Sequence, residues 1–530
     1  MSRLLSKRWF IHACISHCNP PACGISTSCS LSKKVDRSPP APSADQIEEE
    51  EWRRRRRYVP PDPVLDEGSW KRASTVMRWD MANMYDLLRG KAPYGHDARV
   101  EGQIFPQFCD ICVIGGGIMG SLIAYFIKQR CVGEKNLRVV VVEKDPSYAQ
   151  SASTNSFGAV RVQFSQEHNI KAALYGAEFL RRMKEHLAVF EKEPGDLQFQ
   201  PQGYLFLGSE ADVAQLKINH ETQIKCGAKV ALLLPHQLAE RYPWLNLDGI
   251  ALASYGLEHE GWLDTWKYLY ALKEKNMSMG VHYVDGEVVE FRRDDFAGSQ
   301  VATMGGVPFE KWKWVRVRTK EHGDQHIQFC FVVNAAGADS GTVAKLADVG
   351  QKRGTRIIPL PVEKRKRYMY AFHCPEGPKL SMPMLVDPNG LNIRRDGIKG
   401  MYICGWTPKT NEEEPDPNDL TVKNEFFYDV LWPKLSFRIP VFSKLELRGG
   451  WYVHYDYNYF DQSGILGPHV YHGNMLFACG FSGYGMAVAP GYAKTIMDYI
   501  YEAQYEEQDV TPYEFERLLH FEPQKEIVLV

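Results

Sequence analysis

The stretch CDICVIGGGIMG, residues 109–120, constrains this chain more than any other. Its apolar run of Ile, Val and Cys fits a strand buried on both faces, as in a parallel sheet. Gly115-x-Gly117-x-x-Gly120 follows at once, and residues 118–130 place apolar side chains at helical spacing. A second apolar run, RVVVVE at 138–143, ends on Glu143. Strand, glycine turn, helix and strand make a βαβ unit, so the expected fold class is α/β with a doubly wound, Rossmann-like sheet. Gly115 permits the tight turn, Gly117 lets the backbone approach a phosphate, and Gly120 lets helix and strand pack closely. The helix start, with Ile118 and Met119 in its first turn, offers N–H groups and partial positive charge to a pyrophosphate. Glu143 stands where a carboxylate accepts hydrogen bonds from ribose hydroxyls, which disfavours a 2′-phosphate.

The same stretch excludes two other readings. Three consecutive glycines within the uncharged run 111–127 suit a turn, not a lipid-facing helix. Cys109 and Cys112 lie three apart on an extended strand, so their thiols are expected on opposite faces, as core residues and not as a redox pair. Of twelve cysteines, Cys14, Cys18, Cys23 and Cys29 fall in the first 35 residues. The other eight lack metal-ligand spacing, which predicts reduced thiols and no metal site. With 63 basic and 65 acidic residues the net charge is −2, which gives no argument for a nucleic-acid partner.

Residues 1–35 contain no Asp or Glu but carry Arg3, Lys7, Arg8, Lys33 and Lys34 among several serines, the composition of a mitochondrial presequence. Residues 36–107 read as a flexible linker, including the acid-then-arginine block EEEEWRRRRR. Downstream, periodicity predicts helices over 167–191, 210–226, 235–242, 264–280 and 491–501. Strands are expected over 203–208, 281–284, 329–334, 367–372, 400–405 and 474–479, a hairpin or loop over 292–308, and a surface loop over 407–419. No run is long enough for a membrane-spanning helix.

Two further glycine turns decide between cofactors. FCFVVNAAGA (329–338) and GFSGYGMAVAPG (480–491) each end a buried strand in glycine. A nicotinamide needs only the first turn, whereas FAD lies across the sheet and is met by chain from both ends. VIGGGIMG, VVVVEKD, SASTNSFGAVR, GYLFLGSE, GLEHEGWLD, GEVVEF, VVNAAGADS and CGFSGYG, in this order, resemble the D-amino-acid oxidase, glycine oxidase and sarcosine dehydrogenase family of FAD-dependent amine oxidoreductases. The resemblance implies an FAD-binding lobe (108–200, 245–350, 445–530) interleaved with an α+β antiparallel-sheet substrate lobe (201–244, 351–444). It places Gly115, Gly117, Ile118, Met119 and Gly120 at the pyrophosphate, Glu143 at the ribose, Lys144 and Val288 at the adenine, and Ser153 and Thr154 at the phosphates. Gly337 would lie near the ribityl chain, and Gly480, Phe481, Ser482, Gly483 and Gly485 at the isoalloxazine edge. There, N–H groups would stabilise the charge gained on reduction.

Relatives that link FAD covalently use a histidine soon after the ribose acid, or a cysteine before the last strand. Residues 144–167 hold no histidine and 449–461 no cysteine, so noncovalent FAD is expected. Within the family, LASYGLEHEGW, KRKRYMYAFHCPEGP and YDYNYFDQSGILGPH resemble a mitochondrial branch associated with assembly of respiratory complex I. That implies the matrix or the matrix side of the inner membrane, with complex I or its assembly intermediates as partners.

On the substrate side Arg161 has two readings, a bidentate anchor for a substrate carboxylate or a brace for the flavin. Lys364, Arg365, Lys366 and Arg367 form a second cationic group, half of which alternation would send outward. Tyr368, Tyr370, His454, Tyr455, Tyr457 and Tyr459 are candidates to wall a pocket, and His373 and His454 read as hydrogen-bonded rim or core residues. Three functions follow: oxidation of a small amine or amino acid, a flavin-holding assembly protein without turnover, or an NAD-dependent dehydrogenase.

Overall fold

The computed structural model describes Met81 and residues 105–131, 137–189, 192–293, 301–302, 308–309, 311–351, 357–408 and 414–527. The expected presequence and nearly all of the linker lie outside them. The chain runs through β1 (Ile111–Ile114), α1 (Ile118–Arg130), β2 (Val139–Glu143), α2 (Glu167–Arg181), β3 (Tyr204–Gly208), β4 (Val230–Leu233) and β5 (Leu252–Gly256). It continues through α3 (Thr265–Ser278), β6 (Val281–Arg292), β7 (Trp314–Thr319), β8 (Gly323–Gln328), β9 (Phe331–Asn334) and β10 (Val362–His373). The last part holds β11 (Met384–Val386), β12 (Leu391–Asp396), β13 (Met401–Trp406), β14 (Glu446–Asn458), β15 (Ile465–Pro468), β16 (Met475–Cys479) and α4 (Gly485–Glu502).

Two eight-stranded sheets result, in the orders β8-β7-β6-β2-β1-β9-β16-β15 and β14-β10-β13-β12-β11-β3-β5-β4. In the first, β6, β2, β1, β9 and β16 are parallel neighbours. This is the doubly wound arrangement that fully apolar strands such as VVVVE require, since both faces must be covered. One face packs on α1, α2, α3 and α4, and the other forms a core with the β6–β8 meander. In the second sheet every pairing is antiparallel except β11 with β3.

Several expectations are corrected. β6 is twelve residues long, not four, because it leaves the parallel sheet and continues as the first strand of the meander. Strands β5 and β14, assigned from sequence to the FAD-binding lobe, belong to the second sheet, where β14 pairs along the whole of β10. The helix expected over 167–191 breaks at Arg182. Cys109 and Cys112 share one face: the N–H groups of Asp110 and Ile111 both donate to the Arg138 carbonyl, a bulge that shifts the alternation. Burial, then contact with Cys112, pushes the Cys109 thiol up, and neither is in a disulfide. Seven of the eight thiols expected to be reduced are free, but Cys330 is disulfide-bonded, which no spacing in the sequence signals. Among the described residues no helix is long and apolar enough to cross a membrane, and no cluster of metal-ligating side chains occurs.

Candidate functional site

The carboxyl ends of β1, β2 and β9 open into a cavity of about 460 Å³, where a doubly wound sheet binds its ligand. Gly115, Gly117, Ile118, Met119, Glu143, Lys144, Ser153, Gly337, Phe481, Gly483 and Gly485 line it, as expected from sequence. The chain is forced into glycine at the first turn. Gly115 has φ +104°, and a Cβ there would lie 2.3 Å from the Ala335 carbonyl oxygen of the neighbouring strand's turn. Glu143 accepts from Gly116 N–H at 2.8 Å and Asp145 N–H at 2.9 Å, which fixes its carboxylate beside the glycine turn. Burial pushes that carboxyl up, against the two N–H groups and Lys144. Ser153 Oγ accepts from Ile118 N–H at 3.0 Å, at the start of α1.

Five expected contacts lie elsewhere, Ser482 among them on the wall of a second cavity. Gly120 stands behind the cavity, where a Cβ would meet Gly115 O at 2.0 Å, so its role is the close approach of α1 to β1. Thr154 is buried and donates to the Tyr148 carbonyl at 3.0 Å, closing its own turn. Val288 points into the meander core and pairs with Val317, while the preceding Glu287 reaches the cavity. Gly480 N–H donates to Asp456 Oδ2 at 2.5 Å, Phe481 N–H to the same oxygen at 3.0 Å, and Ser482 N–H to the Asp456 carbonyl at 2.9 Å. Three of the five residues expected at a flavin edge thus have their N–H groups engaged by β14. Burial pushes the Asp456 carboxyl up, against the Phe481 and Gly480 N–H groups.

Sequence reasoning missed Tyr148, Asp339 and Asp456 as lining residues, and Lys364 and His454, singled out for the substrate side, line this cavity instead. Asp339 bridges Lys144 and Lys364, the latter at 2.8 Å. Burial opposes its charge, yet the two ammoniums hold its carboxyl below the usual range. The only local signal was its place in AAGAD, directly after the second glycine turn.

A second cavity of about 230 Å³ adjoins the first, sharing Ala152, Ser156, Tyr455, Gly483 and Met486. Ser482 and Arg161 line this one. The Arg161 guanidinium carbon lies 4.9, 5.7 and 5.3 Å from the ring centres of Phe164, Tyr204 and Phe206, and among the described residues it forms no ion pair. Glu260, behind it, accepts from Val162 N–H, Gln163 Nε2 and Tyr204 N–H, and burial pushes its carboxyl up to about 7. Arg367, Tyr368 and Tyr455 complete the polar wall, with Met369, Met384 and Trp406 among the apolar residues.

Of the other aromatic candidates, Tyr370 is core, Tyr457 lies under Arg365, and Tyr459 is exposed. His373 and His454 are hydrogen-bonded to the carbonyls of Lys399 and Pro417. The basic run does not alternate outward as expected. Lys364 lines the first cavity, Arg367 lines the second, and Lys366 is fully buried beneath the carbonyls of Asp419 and Thr421.

The first cavity fits FAD on these observations. It runs from Glu143 and Glu287 past the α1 start to Gly483 and Met486. A Cβ at Gly337 would meet nothing within 4 Å, which leaves open space on that wall. The family profile described as FAD dependent oxidoreductase matches residues 110–499. FAD-dependent oxidoreductase domain-containing protein 1 of Xenopus laevis is 41% identical over 427 residues, 80% of this chain and 85% of that protein. The protein of the same description from Bos taurus is 40% identical over 471 residues, 87% of this chain and 95% of that one. Among solved structures, L-proline dehydrogenase from P. horikoshii superposes with a TM-score of 0.65 at 24% identity, covering 79% of this chain and 100% of that one.

Proposed function

The chain belongs to the FAD-dependent oxidoreductase family, and on that premise we propose that it oxidises a small secondary amine or N-methyl amino acid in the second cavity. The carrying observation is Arg161, a guanidinium without a carboxylate partner among the described residues, on the wall of a small cavity that adjoins the dinucleotide cavity. FAD, when bound, supplies the acceptor for the amine's two electrons, taken up as a hydride. Gly115, Gly117 and Ser153 would hold its pyrophosphate region and Glu143 its ribose.

The chain's own residues bind and prepare the amine. Arg161 takes a carboxylate bidentately and fixes the substrate's orientation. Among the described residues no Asp, Glu, Lys or His lines the second cavity, so no lining carboxylate stabilises an ammonium. The Arg161 guanidinium disfavours one, and the bound amine is held neutral, the form that can give up hydride. Met369, Met384 and Trp406 keep water from the reacting centre. Anaerobic mixing of the FAD-loaded protein with a panel of N-methyl amino acids tests the reading. Loss of the oxidised flavin absorbance is expected, and no reduction by any member overturns it. Arg161→Gln should weaken carboxylate binding about tenfold or more, with flavin content unchanged.

One observation favours a second reading, a flavin-holding assembly protein without turnover. The N–H groups of Gly480, Phe481 and Ser482 are engaged by Asp456 and not left for a reduced flavin. The acid-poor N-terminus and the branch resemblance support a mitochondrial matrix location with complex I assembly intermediates as partners. Co-purification of such intermediates from isolated mitochondria, absent when residues 1–35 are removed, is the expected result.

A further inference from the structure

The second cavity carries two cations, Arg161 and Arg367, but they differ in what they hold. Glu414 reaches Arg367 and lies 3.0 Å from Arg365 Nη1, and all three side chains are 12–16% exposed. Arg365 is further paired with Glu363 at 2.8 Å, so two guanidiniums meet two carboxylates. Arg161 meets none.

Glu414 is a fixed partner. Its segment, 414–421, is tied down where Pro417 O accepts from His454 Nε2 at 3.0 Å and Thr421 O from Lys366 Nζ at 2.9 Å, with Asp419 O also on Lys366. Lys366 is fully buried, so releasing the segment would leave its ammonium with only the Tyr368 hydroxyl, at 3.3 Å, as an acceptor. The guanidiniums are also held by rings, Arg365 over Tyr457 at 3.4 Å and Arg367 over Tyr455 at 4.8 Å.

We propose that Glu414 is a specificity determinant: it fills the Arg367 position from within, so the cavity accepts one carboxylate, at Arg161, and rejects substrates with two. A second carboxylate would enter beside a guanidinium already neutralised, with Glu414 a like charge on that guanidinium in a partly desolvated place. The accepted class is a monocarboxylic amino acid whose remaining substituent is apolar, matching Met369, Met384 and Trp406. This assignment rests on the second cavity being the substrate site.

The test uses the amine-free analogues butyrate and succinate, titrated into the FAD-loaded full chain and followed by flavin absorbance and calorimetry. Wild type is expected to bind butyrate about tenfold tighter than succinate, and Glu414→Gln to shift the ratio about tenfold toward succinate. Adding Arg367→Gln to Glu414→Gln should remove that shift. Succinate binding as tightly as butyrate in wild type overturns the assignment whatever the variants do, as does binding of neither. An unchanged ratio in Glu414→Gln overturns it as well. If the ratio shifts but no N-methyl amino acid reduces the flavin, the oxidation reading falls and Glu414's role stands. Reduction with an unchanged ratio does the reverse.

Discussion

The two adjoining cavities are built in opposite ways. The larger is framed by backbone: glycine turns at the ends of β1 and β9 and ahead of α4 form walls in which a missing side chain is the decisive feature. The smaller is framed by side chains from β3 and β10–β14, and its character comes from guanidiniums, rings and thioethers held by distant partners. A wall of backbone fails through shape. A wall of charges fails through protonation and pairing. Substitutions in the two should therefore read out differently.

The largest effect is expected at Gly115. Alanine there must adopt φ +104° and push its methyl against Ala335 O at 2.3 Å, strain plus overlap that places the loss at about 4 kcal/mol or more. Gly115→Ala should purify without flavin and with a lowered Tm at every pH. Retention of flavin would break the contrast between shape-controlled and charge-controlled walls.

An intermediate effect is expected at Glu260. Its folded carboxyl is pushed up to about 7 from the usual 4.5, so the folded state holds the proton more tightly than the unfolded chain. The stabilisation is complete below about pH 4.5 and is lost as pH rises through about 7, a decline of about 3 kcal/mol. Asp498, on α4, is also pushed to about 7 by burial and gives a decline of the same sign. The informative measurement is therefore the difference between wild type and Glu260→Gln in urea midpoints from pH 4.5 to 8. The variant should start about 1 kcal/mol lower, because its NH₂ cannot accept from a backbone N–H, and should lose less as pH rises. Parallel curves would show that Glu260 does not titrate in this window.

The smallest effect sharpens the contrast within the backbone wall. Gly337 has φ +53°, but a Cβ there meets nothing within 4 Å. Gly337→Ala should cost only about 1–2 kcal/mol, for the left-handed backbone alone, and weaken FAD retention far less than Gly115→Ala. Acid precipitation of either protein should release whatever flavin it holds, since binding is expected to be noncovalent.

Legibility in the sequence followed the same division. CDICVIGGG, RVVVVE and AAGA announce their structure locally, because a buried parallel strand and a glycine turn each have a short-range signature. Eleven of the sixteen residues expected to touch FAD line the first cavity. Two of the misses share a cause. Val288 and Gly480 belong to motifs of the right kind, but Val317 and Asp456 engage them, and only the fold brings those partners close, whereas Thr154 closes its own turn on Tyr148. Arg161 reached the second cavity because FGAVR carried it there by resemblance. Glu414 sits in a run of acids that looks like a solvated loop, and nothing local pairs it with Arg365 and Arg367, some fifty residues away.

The place of β16 in the first sheet has a consequence for how the protein is made. It lies beside β9, two strands from β1, yet it leaves the ribosome more than three hundred residues after β1. α4, which packs against both α1 and α2, follows it, and Glu526, which accepts from Ser165 N–H at 2.5 Å, comes later still. Through most of its synthesis the nascent chain therefore carries a naked parallel edge at β9 and an uncovered helix face, the condition that recruits chaperones. Any premature stop before residue 475 removes the strand, the covering helix and the last glycine turn together, so even a product retaining most of the chain has no complete dinucleotide cavity.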